Sequence, residues 1–237
     1  MTKQNSKNTD FSGIEELHNL ELMKNYNSYI VKLAMKYVKE TMKVVDFGAG
    51  IGTHSTILRE SYSIDPLCIE IDKKNKDLLT KSGFSLYREL SSLNGEVDLI
   101  FSSNVLEHIE DDISVMREMS QQLNANGIIF LYLPAKMILW SNLDEEVGHY
   151  RRYELKELKD KCEEVGLKIE TLHFVDILGF FASLFIKLYG YKRGSSIGSK
   201  FTLKFYDKWL FPISRILDSI GFKYFLGKNI VLVASKK

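Results

Sequence analysis

Val44-Val45-Asp46-Phe47-Gly48-Ala49-Gly50-Ile51-Gly52 sets three glycines two apart where a short β-branched run gives way to a helical pattern. A backbone that leaves a strand, turns sharply and passes close to a ligand needs residues without a Cβ, and these glycines stand at that point. The dinucleotide fingerprint G-x-G-x-x-G has its third glycine one residue later, whereas the spacing here is G-x-G-x-G. Asp46, just ahead of the first pair, stands where it can order the loop and accept a hydrogen bond from an ammonium group.

Outward from this loop, short apolar runs alternate with helical patterns. Residues 17–39 carry apolar positions at helical spacing and precede the run 43–47. A helix follows over about 52–60, then a strand at 66–71, a helix at 73–82 and a strand at 84–88. Further strands fall at 97–102, 128–133 and 167–174, with helices at 113–123 and 155–165 between them, and a last strand at 229–234 closes the chain. Continuous apolar strands alternating with helices predict an α/β fold with a mainly parallel sheet covered on both faces. The expected organisation is one domain over 1–237, with an N-terminal helical region at 12–40 and a helical insertion at 176–227 before the last strand.

An acid after the second strand is the next requirement of a nucleoside site, because it accepts from ribose hydroxyls. Cys68-Ile69-Glu70-Ile71-Asp72 supplies Glu70, while Asp72 suits the cap of the following helix. Together with the later run Asp98-Leu99-Ile100-Phe101-Ser102-Ser103-Asn104-Val105-Leu106-Glu107-His108-Ile109, the chain resembles the class I S-adenosylmethionine-dependent methyltransferases over residues 12–175 and the final strand. The resemblance implies a Rossmann-like seven-stranded sheet with an antiparallel last strand, and S-adenosylmethionine as donor. It also implies that Asp46, Gly48, Gly50 and Gly52 line the methionine part of the cofactor and that Glu70 and Ile71 meet its ribose and adenine. Glu89 stands near the family's adenine-contacting position, where Asp is more usual. Asn104 and Val105 follow the fourth strand as pocket residues, and Tyr26 is similar to an aromatic that some members lay over the cofactor.

Methyl transfer from a sulfonium is an in-line displacement of an already activated group, so positioning and exclusion of water supply much of the acceleration and no metal is required. An oxygen acceptor also wants a base, worth about 10²- to 10⁴-fold. His108 is one candidate; the alternative is that Glu107 and His108 cap and solvate the next helix. The second candidate region is Asp144-Glu145-Glu146-Val147-Gly148-His149-Tyr150-Arg151-Arg152-Tyr153. His149 is suited to act as a base or a phosphate donor, and Arg151, Arg152 and Tyr153 are candidates for holding the acceptor. The stretch resembles the Gly-His-Tyr-Arg-Arg-Tyr signature of a subgroup associated with bacterial glycan and lipid-linked glycan assembly. In the alternative reading, both arginines pair with the nearby acids and pin the loop. His18, His54 and His173 read as surface or packing residues.

At 45% hydrophobic and 27% charged residues, the 237-residue chain excludes a disordered or collagen-like protein. Two cysteines suggest neither a disulfide framework nor a metal cluster and fit a reducing cytosol. The net charge of +1 hides an asymmetry: residues 173–237 hold 11 Lys/Arg against 3 Asp/Glu, and 14 of the 28 Phe, Tyr and Trp. The uncharged stretch 177–186 is half the roughly 20 residues that a membrane span needs, while 200–220 reads as an amphipathic helix with Pro212 as a kink or boundary. Such a tail suits an anionic membrane surface, a lid or a dimer interface.

The leading expectation is a cytoplasmic enzyme, peripheral to the inner face of the membrane, that methylates a hydroxyl of a sugar or lipid-linked glycan. Nucleic acid is not expected as substrate, since Ser102-Ser103-Asn104-Val105 replaces an Asn-Pro-Pro-Tyr-like loop. The rivals are another transferase on the same fold, such as an aminopropyl transferase, and a noncatalytic S-adenosylmethionine-binding scaffold. Oligomeric state is left open.

Overall fold

The computed structural model describes residues 13–38, 42–93, 95–189 and 199–236, so the outer ends of the expected N-terminal region and residues 190–198 of the insertion lie outside the described residues. Seven strands form one sheet: β1 (Val44–Phe47), β2 (Leu67–Ile69), β3 (Ser85–Tyr87), β4 (Val97–Ser103), β5 (Leu123–Pro134), β6 (Leu167–Val175) and β7 (Asn229–Lys236). Their order is β3-β2-β1-β4-β5-β7-β6. β7 runs antiparallel to β5 and β6, whereas the pairings among β1 to β5 are parallel.

Period-two alternation divides the central strands between two cores. Val45, Ile100, Ile129, Leu131, Ile230 and Leu232 face a layer that includes α5 (Asp112–Gln122) and α7 (Leu155–Glu164), which contribute Met116, Met119, Leu158 and Cys162. Val44, Leu99, Phe101, Phe130, Tyr132, Val231 and Val233 face the other layer. That second layer holds Ile30, Val31 and Ala34 of α2 (Lys24–Met35) and Leu58 of α3 (Thr53–Tyr62). Phe101 and Phe130 stack across β4 and β5 with their planes 2° apart. A smaller cluster of Ala49, Cys68, Leu79 and Phe84 closes the end of the sheet under α4 (Lys73–Lys81).

The expected helix at 17–39 is two helices, α1 (Gly13–Glu21) and α2, broken at Leu22-Met23. The break lets the first N–H groups of α2 find an outside partner: Asp207 accepts from the backbone N–H of Asn25 at 3.1 Å and of Tyr26 at 2.8 Å. A carboxylate at a helix N-terminus satisfies orphan donors and opposes the helix dipole. Apolar periodicity carries no trace of a cap supplied from the far end of the chain.

The insertion consists of α8 (Ile177–Tyr189), α9 (Lys200–Phe205), a π-helical turn over Tyr206–Leu210 and α10 (Phe211–Ser219). Pro212, at the start of α10, has no N–H to continue the ladder, and the wide turn stands immediately before it. Leu203 and Phe211 join the second core. Asp176 ties the helices together, accepting from the hydroxyls of Tyr206 at 2.5 Å and Ser214 at 2.9 Å. Asp218 accepts from the Asp176 N–H at 2.7 Å, and its carboxyl is pushed up to about 6, first by burial. All three acids of the basic tail, Asp176, Asp207 and Asp218, are therefore buried within the fold. Among the described residues, no helix is long and apolar enough to cross a membrane.

Candidate active site

The sheet order reverses direction between β1 and β4, and the carboxyl ends of strands at such a switch point are where open α/β sheets bind ligands. The glycine turn leaves β1 there. Gly48 and Ala49 donate to the Ile69 carbonyl at 2.8 and 3.1 Å, which folds the turn over the end of β2. Gly48 has φ +76°, and a Cβ on it would lie 2.3 Å from Val105 Cγ2, so the loops after β1 and β4 touch at a point that admits no side chain. Over Gly50 there is more room: a Cβ would meet only the Leu17 side chain, at 3.5 Å.

The two acids of the turn have different roles. Asp46 is buried under it, accepting from the Ser55 hydroxyl at 2.5 Å, and burial pushes its carboxyl up to about 7. Glu70 accepts from the N–H groups of Gly50 at 2.7 Å, Ile71 at 2.7 Å and Asp72 at 2.8 Å. A carboxylate offers about four lone-pair positions, so one remains for a hydroxyl after these three bonds. Asp72 caps α4 by accepting from the Asn75 N–H at 3.0 Å. Ile71 is 87% exposed and Glu89 is also exposed, so both stand at the open rim.

Asn104 takes φ +54°, donates its N–H to the Tyr132 carbonyl at 2.8 Å, and accepts weakly from the Asn229 amide at 3.5 Å. Tyr26 lies behind it. Its hydroxyl donates to Asn229 Oδ1 at 3.3 Å, and its ring packs edge-on against Tyr132 and Phe211. It is part of the core and is linked to Asn104 through Asn229.

One short turn beyond Val105, Glu107 and His108 come together with His149, which follows the short helix α6 (Asn142–Glu146) after β5. The His108 and His149 rings are 4.6 Å apart, edge to face. His149 Nδ1 lies 2.8 Å from Asp144 Oδ1 and its Nε2 lies 3.9 Å from Glu107 Oε1. His108 is exposed on one side, but desolvation of the ring where it packs on His149, and His149 itself, lower its imidazole to about 4. Glu107 is fully buried, and burial pushes its carboxyl up to about 8. This rules out the reading in which Glu107 and His108 cap and solvate the next helix: α5 is capped by Asp111, which accepts from the Ser114 N–H at 3.1 Å.

The structure places the expected acceptor residues Arg151, Arg152 and Tyr153 against acids of the protein. Arg152 is buried and forms a two-pronged pair with Asp144, Nε to Oδ1 at 2.8 Å and Nη2 to Oδ2 at 3.1 Å. Arg151 Nη1 lies 2.8 Å from Asp112 Oδ1. The Tyr153 hydroxyl donates to Asp112 Oδ2 at 2.7 Å from a fully buried ring. Asp112 at the start of α5 thus holds Arg151 and Tyr153, while Asp144 holds both Arg152 and His149. Asp144 is the residue that the sequence reading missed. Burial pushes its carboxyl up, but bonds from His149 and the Arg152 guanidinium outweigh that and hold it below the ordinary carboxylate range. Its signal was its place in the loop, five residues before the histidine.

The chain also matches the profile of a methyltransferase domain over residues 19–172. It belongs to that methyltransferase family. Solved structures share its fold at identities too low to say more. A S-adenosylmethionine-dependent methyltransferase from Archaeoglobus fulgidus is 15% identical, with 88% of this chain and 92% of that one covered and a TM-score of 0.59. Phosphoethanolamine N-methyltransferase 2 from Haemonchus contortus is 15% identical, with 96% and 58% covered and a TM-score of 0.61. Magnesium protoporphyrin IX methyltransferase from Synechocystis is 12% identical, with 96% of each chain covered and a TM-score of 0.59. No curated protein sequence matches it. The donor set beside the glycine turn fits S-adenosylmethionine: an acid with a vacant lone pair next to the turn, and a second acid beneath it.

Proposed function

We propose that this methyltransferase transfers the methyl group to a hydroxyl of a sugar or lipid-linked glycan while docked on an anionic membrane. S-adenosylmethionine supplies a methyl carbon on a sulfonium. In the transfer an oxygen–carbon bond forms, the carbon–sulfur bond breaks with its electron pair left on sulfur, and the acceptor's proton leaves at the Glu107–His108–His149 cluster. Asp144 holds His149 in one orientation for that step, and the Gly48–Val105 contact fixes the cluster's distance from the cofactor loop.

The observation that carries the membrane part of this reading is the outward face of the insertion. Phe201, Phe205, Trp209, Ile213, Ile216 and Ile220 recur along α9 and α10 at helical spacing and are all exposed. The buried stripe of the same helices contains Asp207, Ser214 and Asp218. A helix that turns its acids inward and its aromatics outward has the wrong pattern for water. Lys200, Lys204 and Lys208 are exposed beside that stripe, each worth about 1 kcal/mol against an anionic surface. α8 adds exposed Phe181 and Phe185 and reaches the site loop, Lys187 Nζ donating to the Ile138 carbonyl at 2.6 Å.

The test is co-sedimentation with phosphatidylglycerol-containing vesicles, followed by methyl transfer to polyprenyl-linked sugars presented in them. Binding that is lost when Lys200, Lys204 and Lys208 are replaced by Glu, together with label on the glycan oxygen, is expected. Failure of the wild type to bind any vesicle removes the membrane part, and label on nitrogen or carbon removes the hydroxyl.

A further inference from the structure

Glu107 has both carboxylate oxygens shut away from solvent, and neither has a hydrogen-bond partner. A buried polar group left so is costly unless something completes it. Facing it is His149 Nε2, 3.9 Å from Oε1; the other ring nitrogen of His149 is held by Asp144. His108 brings a third donor, and one ligand atom from each residue lies within 4.8 Å of the others.

We propose that Glu107, His108 and His149 bind one divalent transition-metal ion of the zinc type at the acceptor end of the pocket. Two bonds of about 2.0–2.1 Å at a tetrahedral angle hold ligand atoms roughly 3.3–3.4 Å apart, so the Glu107–His149 pair at 3.9 Å must draw in by about half an ångström, and rotation of His108, which is exposed, closes the rest. Two imidazole nitrogens and one carboxylate suit zinc and its neighbours, whereas magnesium prefers oxygen ligands and water. Asp144 on Nδ1 completes the carboxylate–histidine–metal arrangement that fixes a ligand's tautomer and orientation. Three protein ligands leave a coordination position for an oxygen. On the reading of this cluster as the acceptor end, that position takes the acceptor hydroxyl, whose pKa the ion lowers, so that with the ion bound the three residues act as ligands rather than as bases and the proton leaves to water. The three ligands show no metal-site spacing along the chain because the pair 107–108 and His149 lie on different loops.

The test uses the full, untagged chain, stripped with a chelator and titrated calorimetrically with zinc chloride and, separately, magnesium chloride, with metal content measured after dialysis. One zinc per chain is expected, with no magnesium bound. Glu107→Gln, His108→Ala and His149→Ala each weaken zinc binding at least about tenfold, and Asp144→Asn weakens it about 10- to 100-fold. S-adenosylhomocysteine affinity serves as the check on folding; His108→Ala, at an exposed position, remains informative if a buried variant fails to fold. A wild type that binds no zinc, or binds it equally well without His108 and without His149, overturns the site. Zinc bound as expected by an enzyme that labels no hydroxyl overturns the acceptor reading instead and leaves the metal site standing.

Discussion

The Asp207 carboxylate sits over the first turn of α2 and accepts the Tyr26 backbone N–H at 2.8 Å, across 181 residues of sequence. The insertion is therefore part of the second core rather than an appendage. Asp207→Ala removes the cap from both Asn25 and Tyr26 and is expected to lower stability by about 1–2 kcal/mol, read as a reduced urea midpoint with unchanged slope. An unchanged midpoint would mean that the contact adds nothing to the fold.

Gly48 and Val105 are coupled by the absence of a Cβ. Gly48→Ala places a carbon 2.3 Å from Val105 Cγ2 and forces an L residue into φ +76°. Weakened S-adenosylhomocysteine binding by calorimetry is expected, and Val105→Ala in the same chain should restore part of it by relieving the clash. At Gly50 the space is open apart from Leu17, so Gly50→Ala is expected to be milder. Equal losses at the two glycines, with no rescue by Val105→Ala, would contradict this geometry.

Arg152→Ala leaves the Asp144 carboxylate buried without its two-pronged partner. Removing one member of a buried pair typically costs about 3–5 kcal/mol, so the variant should show a large loss of thermal stability before any effect on substrate. Wild-type stability with weakened acceptor binding would return Arg152 to the role of a substrate contact.

Asp46 gives a pH signature with a definite sign. Its carboxyl is raised from 3.8 to about 7 in the fold, so between those values the native state holds a proton that the unfolded chain has released. Its contribution is thus favourable below about pH 4 and is lost as pH rises toward 7, at up to about 1.4 kcal/mol per unit. His54, lowered to about 4 by burial, works in the opposite direction below pH 6.5. The Asp46 part is isolated by difference: Asp46→Asn is expected to gain stability relative to wild type between pH 5 and 7.5. A pH-independent difference would refute the shift.

The sheet was legible because most of its strands carry a short apolar run, and because glycines at 48, 50 and 52 and the acid at 70 mark where β1 and β2 end. Asp72 declared itself as a cap in the same way, by local spacing. What the sequence concealed was every long-range pairing. Arg152 looks the same on paper whether it faces a phosphate or Asp144, and only the fold of the loop decides. Glu107 and His108 read as a polar helix start, yet Ile109 lies between them and the true cap, Asp111, and Glu107 turns inward. The break between α1 and α2 was hidden because its cause, Asp207, belongs to a segment whose own apolar pattern points outward.

The most direct test of the central claim is titration calorimetry of the purified chain with S-adenosylmethionine and S-adenosylhomocysteine, with NAD as control. One molecule of each of the first two bound per chain, none of NAD, and loss of both in Glu70→Ala is the expected result. No binding of either, or binding that ignores the loss of Glu70, would contradict the assignment of the glycine turn and its acid as the cofactor site.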